Sequence, residues 1–174
     1  MKIDLDTLIN EKEYVDKFLY NESDIGCVLI SLNYLELCLR YLITDHFINY
    51  PQNTEEIFDF FGSLSNYSGK VKFAKNMELI NQETQKDLLK LGEIRNLYAH
   101  SYRALSFDNE KIIQKCNELV SCRDSLPPFY FENNISSEEK YEYSKLKFIH
   151  TCTNIINDIL AGGLISRIRR KETT

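Results

Sequence analysis

The sequence predicts an all-α protein, and three observations predict it. Only six glycines and three prolines punctuate 174 residues, too few turn formers for a multi-stranded sheet. Apolar residues recur at three- and four-residue steps over long stretches, the period of a helix with one buried face. Polar residues able to cap a helix stand just ahead of several of these stretches.

In chain order, the first helix is expected over about 6 to 20, broken by Asn21-Glu22-Ser23. Ser23 or Asp24 then caps a second helix carrying Ile25, Val28, Leu29, Leu32, Leu35, Leu39, Leu42 and Ile43. Its mixed steps make one broad apolar face, so it is expected at the centre of a bundle. Pro51 stops the chain after Tyr50, and Thr54-Glu55-Glu56 opens a short helix. Its Ile57, Phe58, Phe60 and Phe61 are too apolar to lie in solvent. The segment GSLSNYSG, 62 to 69, reads as a loop, and KVKFAKNMELI reads as the next helix. Asn81 caps QETQKDLLKLGEIRNLYAHSY, expected to be helical throughout. An irregular patch around Phe107-Asp108-Asn109 precedes a helix over about 110 to 122, and residues 123 to 136 form the longest loop.

Ser136 followed by Glu139 is a capping box that opens the last helix, carrying Tyr143, Leu146, Ile149, Ile156, Ile159 and Leu160. Gly162-Gly163 is expected to kink or end it. The tail ISRIRRKETT holds Arg167, Arg169, Arg170 and Lys171. Positive charge there favours a helix C-terminus, with phosphate binding as the alternative.

A net charge of −5 and a pI near 5.3 make the surface as a whole repel phosphate, so nucleic acid needs a local basic patch. No helix has the dense basic face suited to the major groove, which disfavours direct DNA binding. Cys27, Cys38, Cys116, Cys122 and Cys152 form an odd set with no C-x-x-C pair, as expected of reduced thiols in a core. The N-terminus is acidic where a secretory signal needs an apolar run, and no run of eighteen or so apolar residues is expected to span a membrane. The expected location is the cytoplasm. No cofactor and no metal ligand set is expected, because no glycine-rich phosphate loop, H-E-x-x-H or G-x-S-x-G occurs.

The stretch EIRNLYAHSY, 93 to 102, concentrates the polar chemistry. On a helical wheel Leu88, Leu91, Ile94 and Tyr98 share the core side, while Asn96 and His100 stand one turn apart on another face. Arg95 and Tyr102, seven apart, fall within about 20° of each other. Gly92 and Ala99 form a seam of small residues where another helix backbone could approach, half-burying Arg95, Asn96 and His100 inside the bundle or between subunits. Arg95 then either pairs with a carboxylate such as Asp87 or Glu93, or it serves a reaction.

The reaction that suits these residues is RNA cleavage without metal. An imidazole can take a proton from a 2′-hydroxyl or give one to the leaving 5′-oxygen near neutral pH. A guanidinium supplies fixed charge to the phosphoryl oxygens. Asn96 can fix the tautomer of His100, and Tyr102 can orient the phosphate or stack on a base. One histidine does not easily act as both acid and base, so two copies meeting in a homodimer would complete the site. His46 and His150 stand alone and are expected to be structural.

The string IRNLYAHSY resembles the Arg-x4-His motif of the HEPN superfamily, and with Tyr102 the Arg-x4-His-x-Tyr form of HEPN toxins paired with nucleotidyltransferase antitoxins. A longer stretch, FGSLSNYSGKVKFAKNMELINQETQKDLLKLGEIRNLYAH, 61 to 100, resembles the mannitol-operon repressor (MltR)-like family within that superfamily. So does ESDIGCVLISLNYLELCLRYLI upstream, and the likeness runs over about 22 to 104. Met77-Glu78-Leu79-Ile80 stands where that family favours Gly-Leu-Ile. The resemblance implies one HEPN-like antiparallel helical bundle over 1 to 174, with an additional C-terminal helix. It also implies a homodimer with the motif helix near the interface. The expected function is a metal-independent endoribonuclease of a toxin or phage-defence system, with RNA as substrate and Arg95, Asn96, His100 and Tyr102 catalytic. The alternative is a non-enzymatic transcriptional regulator acting through protein contacts. An antitoxin or regulatory protein is the corresponding partner. A module that binds RNA or a nucleotide without cleaving it is the third expectation.

Overall fold

A computed structural model describes residues 4–47, 56–59, 62–101, 104–121 and 136–172. Among them are six α-helices and no strand, so the fold is all-α. The Pro51 break, Phe60, Phe61, Cys122 and the expected loop 123–135 lie outside the described residues.

The helices begin where the capping residues stand. α1 (Leu5–Leu19) starts after Asp4, whose carboxylate accepts the N–H of Thr7 at 2.8 Å. Ser23 caps α2 (Asp24–His46) through the N–H of Gly26. Glu56–Phe58 forms a single 3-10 turn that buries Phe58. α3 (Tyr67–Asn76) starts inside the segment expected to be loop, because Asn66 accepts the N–H of Gly69 at 2.6 Å. Asn81 caps α4 (Gln82–Ala99) through Thr84. α5 (Glu110–Asn117) is shorter than expected. Its end is tied down, since Lys147 donates to the Asn117 carbonyl at 3.1 Å and buried Leu119 turns the chain inward. The Ser136–Glu139 box closes as expected at the start of α6 (Ser137–Glu172): Ser136 Oγ accepts from Glu139 N–H, and the Glu139 carboxylate accepts from Ser136 N–H.

α2 packs against α1, α3, α4 and α6. Its buried residues, Cys27, Val28, Ser31, Leu32, Tyr34, Leu35, Cys38, Leu39, Tyr41 and Ile43, form one broad face of roughly 200°, with exposed Asn33 opposite. Each fully buried large apolar side chain contributes about 1.5–3 kcal/mol. Ile25, expected on that face, is exposed at the helix start. Contrary to the expectation that no stretch reaches that length, α2 is long and apolar enough to cross a membrane by length and composition. Glu36 and Arg40 interrupt its apolar run without lowering its average hydropathy enough. In this fold its apolar sides are taken up by the four helices around it.

The pair Gly162-Gly163 does not end α6, which continues to Glu172. A Cβ on Gly163 would lie 2.9 Å from the Tyr41 ring and 3.2 Å from Leu5, so this glycine permits close packing of α6 on α2 and α1. Gly162 faces open space. In the tail, Arg167 pairs with Asp6 at 2.7 Å and Arg170 with Asp45 at 2.5 Å. These arginines clamp the end of α6 to α1 and α2, rather than only balancing a helix terminus.

The two glycines should respond oppositely to alanine. Gly162→Ala, in open space within a helix, is expected to raise stability by about 0.5–1 kcal/mol. Gly163→Ala is expected to lose that gain by displacing Tyr41. Urea midpoints measured at low protein concentration check this, and equal shifts in the two variants would contradict the packing described.

Candidate functional site

The core side of α4 is the one the wheel predicts: Leu88, Leu91 and Ile94 are fully buried and Tyr98 nearly so. The helix stops at Ala99, short of the expected Tyr102. His100 is its C-cap, at φ −104° and ψ 3°, with its N–H donating to the Asn96 carbonyl at 3.1 Å. The reason lies just beyond. Phe107 is fully buried against Tyr98 and Phe148, at ring distances of 5.7 and 5.5 Å, and its N–H donates to the Asp24 carboxylate at 3.2 Å. Continuing the helix would carry the chain away from that pocket. Tyr102, expected beside Arg95, lies outside the described residues.

Arg95 is half-buried, with its guanidinium over the Tyr67 ring at 5.7 Å and 3.8 Å from the Glu36 carboxylate. Neither expected partner takes it. Asp87 is fully buried and is consumed by the chain after α5: it accepts from the N–H of Val120 at 3.0 Å, the N–H of Ser121 at 2.7 Å, and the Ser121 hydroxyl. Glu93, two residues before Arg95 and so on another side of the helix, binds Lys90 at 3.2 Å and Lys115 at 2.5 Å. Lys115, first, and then Lys90 hold its carboxyl below the usual range against the opposing effect of burial.

The small-residue seam is also occupied differently. Gly92 is buried, but the ring of Tyr67 fills the space beside it, 3.1 Å from where a Cβ would stand. The Tyr67 hydroxyl donates to the Leu88 carbonyl at 3.1 Å, and burial pushes its pKa well up. Ala99 is exposed. An α3 side chain, not a helix backbone, lies along α4, and Asn96 and His100 are left exposed rather than half-buried.

Those two residues do share a feature. Asn96 and His100 line an open groove of about 640 Å³ between the end of α4 and α5, with Glu93, Ser101, Asn109, Lys111 and Lys115 as further polar walls and Leu97 and Leu105 as apolar ones. The hydrogen bond between them runs through the backbone, from the His100 N–H to the Asn96 carbonyl. Arg95 is not in this groove; it faces α2 and α3. The structure thus groups Asn96 with His100 and separates Arg95 from both. His46 is exposed, edge-on to Phe47, and His150 is half-buried.

Sequence reasoning missed Glu36, Tyr67 and Lys70 around Arg95, and Lys111 and Lys115 in the groove. The lysines stand four apart on α5, a spacing that puts them on one face. Lys70 is 4% exposed and donates to Glu36 at 2.7 Å and to the Ser65 carbonyl at 3.1 Å. Glu36 therefore serves a buried lysine before it serves Arg95. No group of acidic, histidine or cysteine side chains suited to a metal occurs among the described residues. No family model, curated protein or solved structure matches this chain.

The two cations on Glu36 should differ in what they contribute. Glu36→Gln strips the countercharge from buried Lys70 and is expected to cost about 2–4 kcal/mol. Arg95→Gln removes a long, half-exposed contact and is expected to cost less than about 1 kcal/mol. Denaturant midpoints of both variants test the ranking, and an Arg95 cost equal to that of Glu36 would make Arg95 a structural residue.

Proposed function

We propose that this chain is a HEPN-type, metal-independent endoribonuclease that acts as a homodimer in the cytoplasm, within a toxin or phage-defence system. The observation that carries the reading is the placement of His100. Its imidazole is exposed at the end of α4, in a groove where Lys115 is paired with Glu93 and the exposed Lys111 adds positive charge to an otherwise acidic surface. Such a groove can receive a phosphodiester that the rest of the surface repels. Arg95, five residues earlier, has only a long and partly solvated tie to Glu36, so its guanidinium can exchange that carboxylate for a phosphate.

The chemistry then needs no metal. His100 of one copy takes the proton of the 2′-hydroxyl as its oxygen bonds to phosphorus. The bond from phosphorus to the 5′-oxygen breaks, and that oxygen takes a proton from His100 of the other copy. Arg95 neutralises charge gathering on the phosphoryl oxygens. The products are a 2′,3′-cyclic phosphate and a 5′-hydroxyl. One further feature supports the resemblance to the repressor-like family: Glu78 adopts a left-handed φ of 57° at the turn after α3, where that family favours glycine.

The second reading is a regulator that works through protein contacts. It is favoured by the neutralised state of Arg95, stacked on Tyr67 and paired with Glu36, and by the net charge of −5.

Incubation with total RNA in EDTA separates the two. Wild-type protein is expected to yield fragments ending in 2′,3′-cyclic phosphate, with at least about 100-fold loss of rate in His100→Ala and in Arg95→Ala. Absence of cleavage at every protein concentration, with both variants folded, would remove the enzyme and leave the regulator.

A further inference from the structure

The groove that carries His100 is larger than a phosphate group. Its volume of about 640 Å³ lies within the range of pockets that take a whole small molecule, so it has room for a nucleotide. Its charged walls decide where the phosphates of that nucleotide can lie. Glu93 and Lys115 are spent on each other at 2.5 Å, and Lys90 shares the Glu93 carboxylate at 3.2 Å. Two groups able to meet an anion remain. One is the His100 imidazole at the end of α4. The other, on α5, is the Lys111 ammonium, which is exposed and enters no ion pair among the described residues.

Local stability does not account for Lys111. It is the second residue of α5, whose start is held by the Asn109 side chain accepting the Lys111 N–H at 3.1 Å. A cation there opposes the helix dipole, which favours acids in the first turn and bases in the last. Asp108 and Glu110, the acids beside it in sequence, are not among the walls of the groove. On the groove side, therefore, the helix start and the ammonium add to one another as positive potential.

We propose that Lys111 holds the phosphate next to the scissile one, so that the strand is recognised over two consecutive phosphates, His100 at one and Lys111 at the other. The inference rests on the reading of this groove as an RNA site and adds a requirement to it. A substrate with a single phosphodiester can satisfy His100 but leaves Lys111 without its anion, so oligonucleotides are preferred. A carboxylate-rich peptide has the same sign of charge, and competition separates it from RNA.

The test uses the full chain and two substrates: a dinucleoside monophosphate, whose one phosphate is the scissile one, and a short oligoribonucleotide containing the same step. Lys111→Gln is expected to lower kcat/KM several-fold on the oligomer and much less on the dinucleoside, without lowering the melting temperature. Lys111→Arg should keep most of the oligomer rate. Lys17→Gln, which removes one charge from α1, a helix packed on α2 and α6, controls for net charge and should change neither rate. Equal losses on both substrates in Lys111→Gln, or no loss on either, would overturn the proposal.

If wild-type protein cleaves neither substrate, the enzyme reading fails by itself and binding decides for Lys111. Fluorescence anisotropy with a labelled 2′-O-methyl oligomer, which cannot form a cyclic phosphate, is expected to show several-fold weaker binding by Lys111→Gln. The slope of log affinity against log salt should also be shallower by about 0.7, one phosphate contact on a single strand. Equal affinity and slope in the two proteins, binding by neither, or equally good displacement of the oligomer by polyglutamate would each refute a phosphate contact at Lys111.

Discussion

A helix whose buried face takes up more than half of its circumference cannot stand at a surface, and α2 is such a helix. Its ten buried residues span an arc of roughly 200°, too wide for one neighbour to cover, so it is stable only when α1, α3, α4 and α6 pack around that arc. Everything else in the fold is arranged by that demand. α3 and α4 cover one flank, α1 and the long α6 the other, and α5 closes over the outer side of α6. Polar residues that enter the enclosure are few, and most are satisfied there, the buried hydroxyls of Tyr98 and Ser144 being the exceptions among the described residues. Ser31 and Thr151 return their hydroxyls to carbonyls four residues earlier, and burial pushes the Cys27 and Cys38 thiols up to about 12.

Three acidic residues fix how the surrounding helices sit, each by satisfying donors that no helix can satisfy itself. Asp24 gathers the Tyr141 hydroxyl, the Phe107 N–H and the Lys145 ammonium, joining the start of α2 to the start of α6 and to the chain leaving α4. Asp87 takes the two N–H groups after α5. Glu36 compensates Lys70. Removing any one carboxylate leaves buried donors without acceptors, which is costlier than the loss of an exposed ion pair. These ties determine where α4 ends and therefore where His100 points.

Much of this was legible in the sequence because capping is local. Ser23, Asn81 and the Ser136–Glu139 box act on N–H groups two or three residues away, and each begins its helix as read. The central place of α2 followed from the breadth of its apolar pattern. What failed depended on distant residues. The end of α4 is set by burial of Phe107 against Phe148, a contact spanning 41 positions by residue number. The Gly92 seam is filled from α3, and Arg95 finds Glu36 from α2, neither of which a wheel of α4 can display. Gly162-Gly163 reads as a break by composition, yet one of the two is needed for close approach to Tyr41 and the helix carries through both.

The separation of Arg95 from His100 within one chain bears directly on how the motif could work. On a helix, residues five apart point in directions about 140° different, so one phosphate cannot easily meet both from a single α4. The spacing becomes useful when a second copy supplies the missing side: Arg95 of one chain and His100 of the other can then converge, and each groove gains a charge it lacks alone. An interface that does this must run along α4 near its C-terminus, where Asn96, Ala99 and His100 are exposed.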